Sequence, residues 1–248
     1  MKRQNVRSLL LIISLLLFPI TQFYFSPYII VDGAFHGIVN ASFIVFLILL
    51  ILGTVFGRAM CGWIMPCGAL QEVCFAANDK RVKGGKFNLT KYVIWTIWIL
   101  LIAGAVIQYG GYKTFNPFYH IEKVVSVSEL WCYLIYYGVI IIFVTLSLIF
   151  GKRASCHYIC WMCPFMIIGR KIRNKLKTPA LQLNVDNSKC ISCKKCDKEC
   201  PMSISVSDMV KRGNMENSEC ILCGKCVDSC PKNVISFEFA RPHDKHNL

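Results

Sequence analysis

Two runs of cysteine in the last third of the chain carry the clearest chemistry. Cys190-Ile-Ser-Cys193-Lys-Lys-Cys196-Asp-Lys-Glu-Cys200-Pro201 and Cys220-Ile-Leu-Cys223-Gly-Lys-Cys226-Val-Asp-Ser-Cys230-Pro231 repeat one spacing, C-x2-C-x2-C-x3-C-P. Three thiolates on a tight loop cap three irons of a [4Fe-4S] cubane, and the fourth, carried onward with its proline, reaches the neighbouring cluster. The spacing therefore assigns Cys190, Cys193, Cys196 and Cys230 to one cluster and Cys220, Cys223, Cys226 and Cys200 to the other. Zinc also takes four thiolates, but two zinc knuckles have no need of the proline-flanked fourth cysteine in each copy. A cubane held only by cysteine leaves no iron open to substrate, so the expected chemistry is electron transfer, at a potential anywhere between about −700 and +450 mV.

A second cysteine group lies upstream. Cys61-Gly-Trp-Ile-Met65-Pro66-Cys67 follows one apolar stretch and Cys156-His-Tyr-Ile-Cys160-Trp-Met-Cys163-Pro164 follows another. Each is preceded by Phe-Gly-basic, as Phe56-Gly57-Arg58 and Phe150-Gly151-Lys152, which points to a two-helix unit used twice. Three readings stay open. A third iron–sulfur cluster bridging the motifs uses Cys61, Cys67, Cys156 and Cys160, or Cys163 in place of one of them; a redox-active thiol pair exchanges electrons with nearby clusters; or the thiols are small packing residues. Cys74 and Cys132, without proline or repeat partner, read as packing.

The elements that position these groups follow from composition. The chain has 248 residues, is 55% hydrophobic and 17% charged, and has a mean hydropathy of +0.48, more apolar and less charged than ordinary soluble domains. Four apolar stretches, Val6–Phe25, Phe35–Phe56, Tyr92–Tyr109 and Trp131–Phe150, are long enough to cross a hydrocarbon core, which needs about 20 helical residues. The expected fold is an α-helical membrane protein with four transmembrane helices over residues 1–177 and an α+β two-cluster domain over 178–248. The latter has no apolar run long enough for a core, so it needs its metal to fold. Closely spaced cysteines of this kind suit a reducing compartment.

Together these features resemble known families. The tail is similar to bacterial two-cluster ferredoxins, and the whole chain resembles membrane-anchored polyferredoxins of the NapH and NosR type. These combine four or more helices, two C-x3-C-P motifs at the cytoplasmic face and a C-terminal two-cluster ferredoxin. Met65 stands where that pattern has its second cysteine, and Cys163-Pro164 falls three residues late, so the family's cysteine positions carry over to Cys61, Cys156 and Cys160. The NapH resemblance implies electron exchange with quinol and a redox enzyme. The NosR resemblance implies electron delivery for upkeep of a metalloenzyme, and a redox-dependent assembly or regulatory factor is the alternative function.

The net charge of +14 does not point to nucleic acid, because residues 1–177 hold 18 Lys+Arg against 5 Asp+Glu while 178–248 hold 10 against 9. The excess flanks the apolar stretches, where it orients a membrane protein. Lys171, Arg173, Lys175 and Lys177 read as a basic collar on lipid headgroups. Near the opposite face the polar residues are Asp32, His36, His120, Glu122 and Glu129, and His36 and His120 are the candidates to meet a quinone headgroup. Neither C-x-x-C-H, G-x-G-x-x-G nor G-x-x-x-x-G-K-[ST] occurs, so the chain is expected to have no substrate chemistry of its own. Its partners are then membrane lipid, a redox protein and a quinone. Sixteen basic residues in one set of connections against two in the other place both termini in the cytoplasm and the chain in the inner membrane. A reporter fused after Leu248 is therefore expected inside the cell and one near Gly111 outside; an external C-terminus reverses the orientation.

Overall fold

The computed structural model describes residues 2–120, 125–127 and 130–242; Glu122 and Glu129 lie outside the described residues. The chain begins with α1 (Lys2–Leu16) and α2 (Phe18–Thr21). Pro19, in the first turn of α2, lacks an N–H and its ring opposes continuation of α1. The segment continues as a short 3-10 turn to Phe25, bent by 61° from α1. Next, α3 (Pro27–Phe35) ends at His36, and Gly37, with φ of 64°, reverses the chain into β1 (Ile38–Val39).

Asn40 then starts α4 (Ala41–Phe56): its Oδ1 accepts from the Phe43 amide at 3.0 Å and its Nδ2 donates to the Ile29 carbonyl at 2.7 Å. The second apolar stretch is therefore helical over 16 residues only, about 24 Å at 1.5 Å per residue, short of a hydrocarbon core of about 30 Å. Two short helices, α5 (Ala59–Trp63) and α6 (Pro66–Val73), lead to α7 (Thr90–Tyr109), β2 (Thr114–Phe115) and α8 (Leu130–Phe150). Among the described residues two helices, α7 with its preceding turn and α8, are long and apolar enough to cross a membrane, or three if the bent N-terminal pair counts as one. Both carry exposed apolar side chains, among them Leu100, Leu101, Ile141 and Ile142, as a lipid-facing surface requires.

Beyond α8 come α9 (Ala154–Tyr158) and α10 (Cys163–Leu176). A Cβ on Gly169 would lie 2.4 Å from the Leu50 carbonyl oxygen, and one on Gly53 2.8 Å from Met166 Cα, so these two glycines allow α10 to lie flush on α4. The tail consists of β3 (Ala180–Val185), α11 (Lys195–Glu199), α12 (Val206–Lys211), α13 (Lys225–Asp228) and β4 (Ile235–Ala240). Strands β3 and β4 pair antiparallel from Ala180↔Ala240 to Val185↔Ile235. Arg173 corrects its own reading as a headgroup contact. It is buried and donates to the Thr178 carbonyl at 2.9 Å, Gln182 Oε1 at 2.8 Å and the Ala240 carbonyl at 2.6 Å, tying α10 to the sheet. One apolar core runs without a break from Phe46, Trp98 and Phe143 through the upstream cysteines to Leu183, Val210 and Ile235 of the tail.

Candidate iron–sulfur centres

In each tail run the first two cysteines lie on a loop, the third, Cys196 or Cys226, lies in the first turn of the short helix α11 or α13, and the fourth follows that helix. The chain folds so that the fourth cysteines change places. One cavity is lined by Cys220, Cys223, Cys226 and Cys200, with Leu183, Met202 and Ile204 in its wall. The other is lined by Cys190, Cys193, Cys196 and Cys230. These are the two sets that the spacing assigns. Among the described residues no three His, Cys, Asp or Glu side chains converge closely enough for a single metal ion. Four thiols spread around a cavity suit a multi-iron cluster. Burial pushes the Cys200 thiol up to about 11 and the Cys220 thiol up to about 12. Such apolar pockets hold a thiolate only when a metal takes the place of the proton.

The upstream cysteines also come together, at the end of the helices where the tail docks. Cys61, Cys67, Cys156, Cys160 and Cys163 are all buried in one core. The sulfurs of Cys160 and Cys163 are 2.7 Å apart, beyond a disulfide bond of about 2.05 Å. Arg58 Nη2 donates to Cys163 Sγ at 3.0 Å, Gln71 Nε2 donates to Cys156 Sγ at 3.2 Å, and Cys61 Sγ lies 3.9 Å from Met166 Sδ. Hydrogen bonds from Cys160 and Cys61, with Arg58 and Lys91 beyond them, hold the Cys163 thiol well below its usual range, whereas Cys61 and Cys160 are pushed up by that same bonding and by burial. Cys163 is thus central to the group. Cys74 donates to the Leu70 carbonyl at 3.4 Å and Cys132 packs beside Phe23 and Ile29, which fits a packing role for both.

The charged frame around these thiols was missing from the sequence reading. Gly57 and Gly151 both have positive φ, and the five-residue helices α5 and α9 that follow each carry their cysteine, Cys61 or Cys156, in third place. Arg58 and Arg153 stand immediately before them. Each arginine serves the opposite motif: Arg153 Nη1 donates to the Cys61 carbonyl at 2.7 Å, while Arg58 reaches Cys163. The signal was present as Arg-Ala-x-Cys at 58–61 and 153–156, one residue out of step with the Phe-Gly-basic alignment. Glu72 binds Arg153 Nη2 at 2.5 Å and also Arg7, and Glu219 binds Arg58 at 2.8 Å and Lys91 at 2.5 Å. Burial raises the Glu72 carboxyl, but Arg153 and Arg7 outweigh it and bring it down to about 2. Burial also brings His157 down to about 4, so it is neutral where its Nε2 meets the Met202 carbonyl at 3.0 Å.

The tail docks on this frame through its second cysteine loop. Trp63 Nε1 donates to the Leu222 carbonyl at 3.1 Å, Gln4 Nε2 to the Cys223 carbonyl at 3.0 Å and Arg58 Nη1 to the Ser218 carbonyl at 3.2 Å. A Cβ on Gly62 would stand 2.4 Å from the Ile221 carbonyl oxygen and 3.6 Å from Cys223 Cα, so the loop approaches the residue after Cys61 as closely as only glycine permits.

At this point comparison with known proteins becomes informative. Residues 182–231 match the model of a 4Fe-4S dicluster domain, and residues 41–83 match that of a 4Fe-4S binding domain. The first match covers all eight tail cysteines, and neither covers Cys156, Cys160 or Cys163. The second match covers Cys61, Cys67 and Cys74. Among whole proteins, the chain is 27% identical over 65% of its length to the uncharacterized protein MJ0750 of Methanocaldococcus jannaschii, covering 66% of that protein. It is 23% identical over 68% of its length to MJ0749 of the same organism, covering 62% of it. A candidate electron transport protein of Escherichia coli, YccM, is 25% identical over 78% of the chain and 55% of its own length. The chain thus spans between about half and two thirds of the length of the curated relatives it matches. No solved structure matches it.

At the far end of the helices, beyond Tyr109, a smaller polar group gathers. His120 Nε2 lies 2.9 Å from Asp32 Oδ2, Tyr119 donates to the same oxygen at 2.7 Å, and His36 Nδ1 lies 2.9 Å from the Asp32 carbonyl oxygen. His36 and His120 are therefore brought together, with Asp32 and Tyr119 between them, and both are exposed.

Two outcomes test the site. Cys200→Ser is expected to damage the centre that shares Cys220, Cys223 and Cys226, leaving its sequence neighbour intact, as read by spectroscopy of the separated signals; loss of the Cys190 centre alone means two independent sites. Glu72→Gln leaves two buried arginines unpaired and is expected to lower stability by about 3–5 kcal/mol near neutral pH. Glu72 titrates at about 2 in the folded chain against an ordinary 4.5, so its contribution is complete above 4.5 and is lost as pH falls towards 2. Thermal unfolding of both proteins across that range should show the gap closing, and a gap independent of pH would show that Glu72 acts through packing alone.

Proposed function

We propose that this chain is a membrane-attached iron–sulfur electron-transfer protein, with a helical anchor over residues 1–177 and a two-cluster ferredoxin-like domain over 178–248. The observation that carries the reading is the sorting of eight tail cysteines into two four-thiol cavities, together with the 4Fe-4S matches at both ends. Bound there, [4Fe-4S] clusters supply one-electron centres without an open iron position. The chain's own part is to hold, insulate and charge-balance them: aliphatic and methionine side chains wall the Cys220 cavity from water, and docking fixes that cavity beside Cys61. The name of the Escherichia coli relative supports electron transport.

We assign a third centre to Cys61, Cys156, Cys160 and Cys163, with Cys67 beside them. Its support is the buried Arg58, whose Nη2 faces Cys163 Sγ and whose Nε has no hydrogen-bond partner, a setting that stabilises a thiolate-bound anionic cluster. The 2.7 Å approach of Cys160 and Cys163 favours a thiol pair as the second reading. The setting that the resemblance suggests is the inner membrane with both termini cytoplasmic, and either NapH-type exchange of electrons with quinol and a redox enzyme or NosR-type delivery of electrons for upkeep of a metalloenzyme. A quinone is the carrier proposed to complete the route across the bilayer, because all three centres lie at one end of the helices and the hydrocarbon core is about 30 Å thick. Asp32, His36 and His120, at the opposite end, are its candidate contacts. A redox-dependent assembly factor is distinguished by clusters that no redox partner reduces.

Anaerobic iron and sulfide analysis tests the number of centres. Two cubanes give about eight irons per chain and three give about twelve. About eight irons, with Cys160 and Cys163 titrating as an oxidisable pair, replaces the third cluster by the thiol pair; fewer than about four overturns the proposal.

A further inference from the structure

The two tail cavities differ in what surrounds them. The Cys220 cavity has no charged residue in its wall, and its loop is covered by Gln4, Arg58, Gly62 and Trp63. The Cys190 cavity takes Lys194, Lys195 and Lys232 into its wall and no acidic residue. All three lysines are exposed, as is Cys193. Ile191, on the same loop, is 59% exposed, and Lys198 is exposed one turn beyond Lys195. Of the two acidic residues in α11, Asp197 is buried on Ser207, accepting from its amide at 2.7 Å and its hydroxyl at 2.6 Å, while Glu199 is exposed at the helix end, against Lys194, Lys195, Lys198 and Lys232. The solvent-facing charge beside this cavity is therefore predominantly positive, around a small apolar centre.

We propose that this lysine-rimmed surface is the port at which a soluble one-electron carrier protein with an acidic face docks. The proposal rests on the electron-transfer reading above and adds which centre meets the outside and what meets it. Because the Cys220 loop is covered by the helical half, a soluble protein can approach closely only the centre held by Cys190, Cys193, Cys196 and Cys230. Charge complementarity argues for an acidic partner: a positive rim steers a negative surface into encounter and fixes its orientation. Transient redox complexes bury little area, below about 1,200 Å², so an exposed isoleucine within a ring of lysines suffices. The exchange moves one electron and neither makes nor breaks a bond: the reduced carrier is oxidised by one electron and the Cys190 centre is reduced by one. The covered centre lies between this port and the upstream cysteines, which gives the chain an outer and an inner end.

The test uses the full anaerobic holoprotein in lipid nanodiscs and, as probe, a reduced acidic bacterial two-cluster ferredoxin. Binding is measured over a range of salt concentrations and cluster reduction by stopped flow, alongside iron content and the spectrum after dithionite reduction. The wild type is expected to bind more weakly as salt rises. Lys195→Glu with Lys232→Glu should weaken binding about tenfold and flatten the salt dependence, compared in preparations matched for iron content because both residues also line the cavity. Lys80→Glu with Lys83→Glu, an equal charge reversal on exposed lysines of the helical half, should leave affinity as it was. The proposal is overturned if the two double variants act alike, if Lys195 and Lys232 have no effect, or if the surface binds anionic vesicles and not the ferredoxin. Salt-sensitive docking at these lysines without cluster reduction keeps the port and removes the electron-transfer reading. Rapid reduction that Lys195→Glu with Lys232→Glu leaves unchanged does the opposite.

Discussion

Four cations buried against two carboxylates set the terms for the rest of this molecule. Arg7, Arg58, Lys91 and Arg153 are each 2% exposed or less, and among the described residues their carboxylate partners are Glu72 and Glu219. Desolvating unpaired charge is expensive, so the surplus must find negative charge nearby, and the sulfurs of Cys163 and Cys156 lie within the same frame. A thiolate centre at that place relieves the surplus, and the surplus in turn favours the thiolate. Glu219 belongs to the tail while Arg58 and Lys91 belong to the helical half, so the same charge balance holds the two halves together.

Much of the site was legible because cysteine spacing encodes geometry directly. A tight loop admits few arrangements of three thiols, so both tail sets could be written down from the sequence, and the cavities are lined as written. Residues 92–109 and 131–150 were legible as helices because nothing interrupts their apolar run. The other two stretches are interrupted for local reasons that hydropathy does not weigh. Pro19 breaks the first, while Gly37 and the cap at Asn40 shorten the second. The arginines were hidden differently: Arg7, Arg58 and Arg153 were counted as loop charges that orient the chain, although all three are buried. Their partners lie 55 to 161 residues away, and no local pattern reports such a pairing.

The tail is built as a fixed part of the whole and not as a tethered shuttle. Arg173 fastens α10 to the last strand, Arg170 Nη2 meets Glu216 at 2.6 Å, and Lys152 donates to the Lys198 carbonyl at 3.0 Å. These contacts reach the tail from three sides and leave the Cys190 loop outward. Fixed separations suit electron exchange, because orientation is then settled once, on folding, and not at every encounter.

The crossed arginines also impose an order on biosynthesis. Arg153 and Cys61 are 92 residues apart, and a ribosome adds about 5–20 residues per second. For several seconds, then, the nascent first motif displays its thiols without the guanidinium that will brace its carbonyl, and Glu219, which neutralises Arg58, emerges later still. The bundle end is thus finished only by the last quarter of the polypeptide. A prematurely terminated product would leave the buried charge of Arg58 without the carboxylate that neutralises it, so the helical half matures only together with its tail.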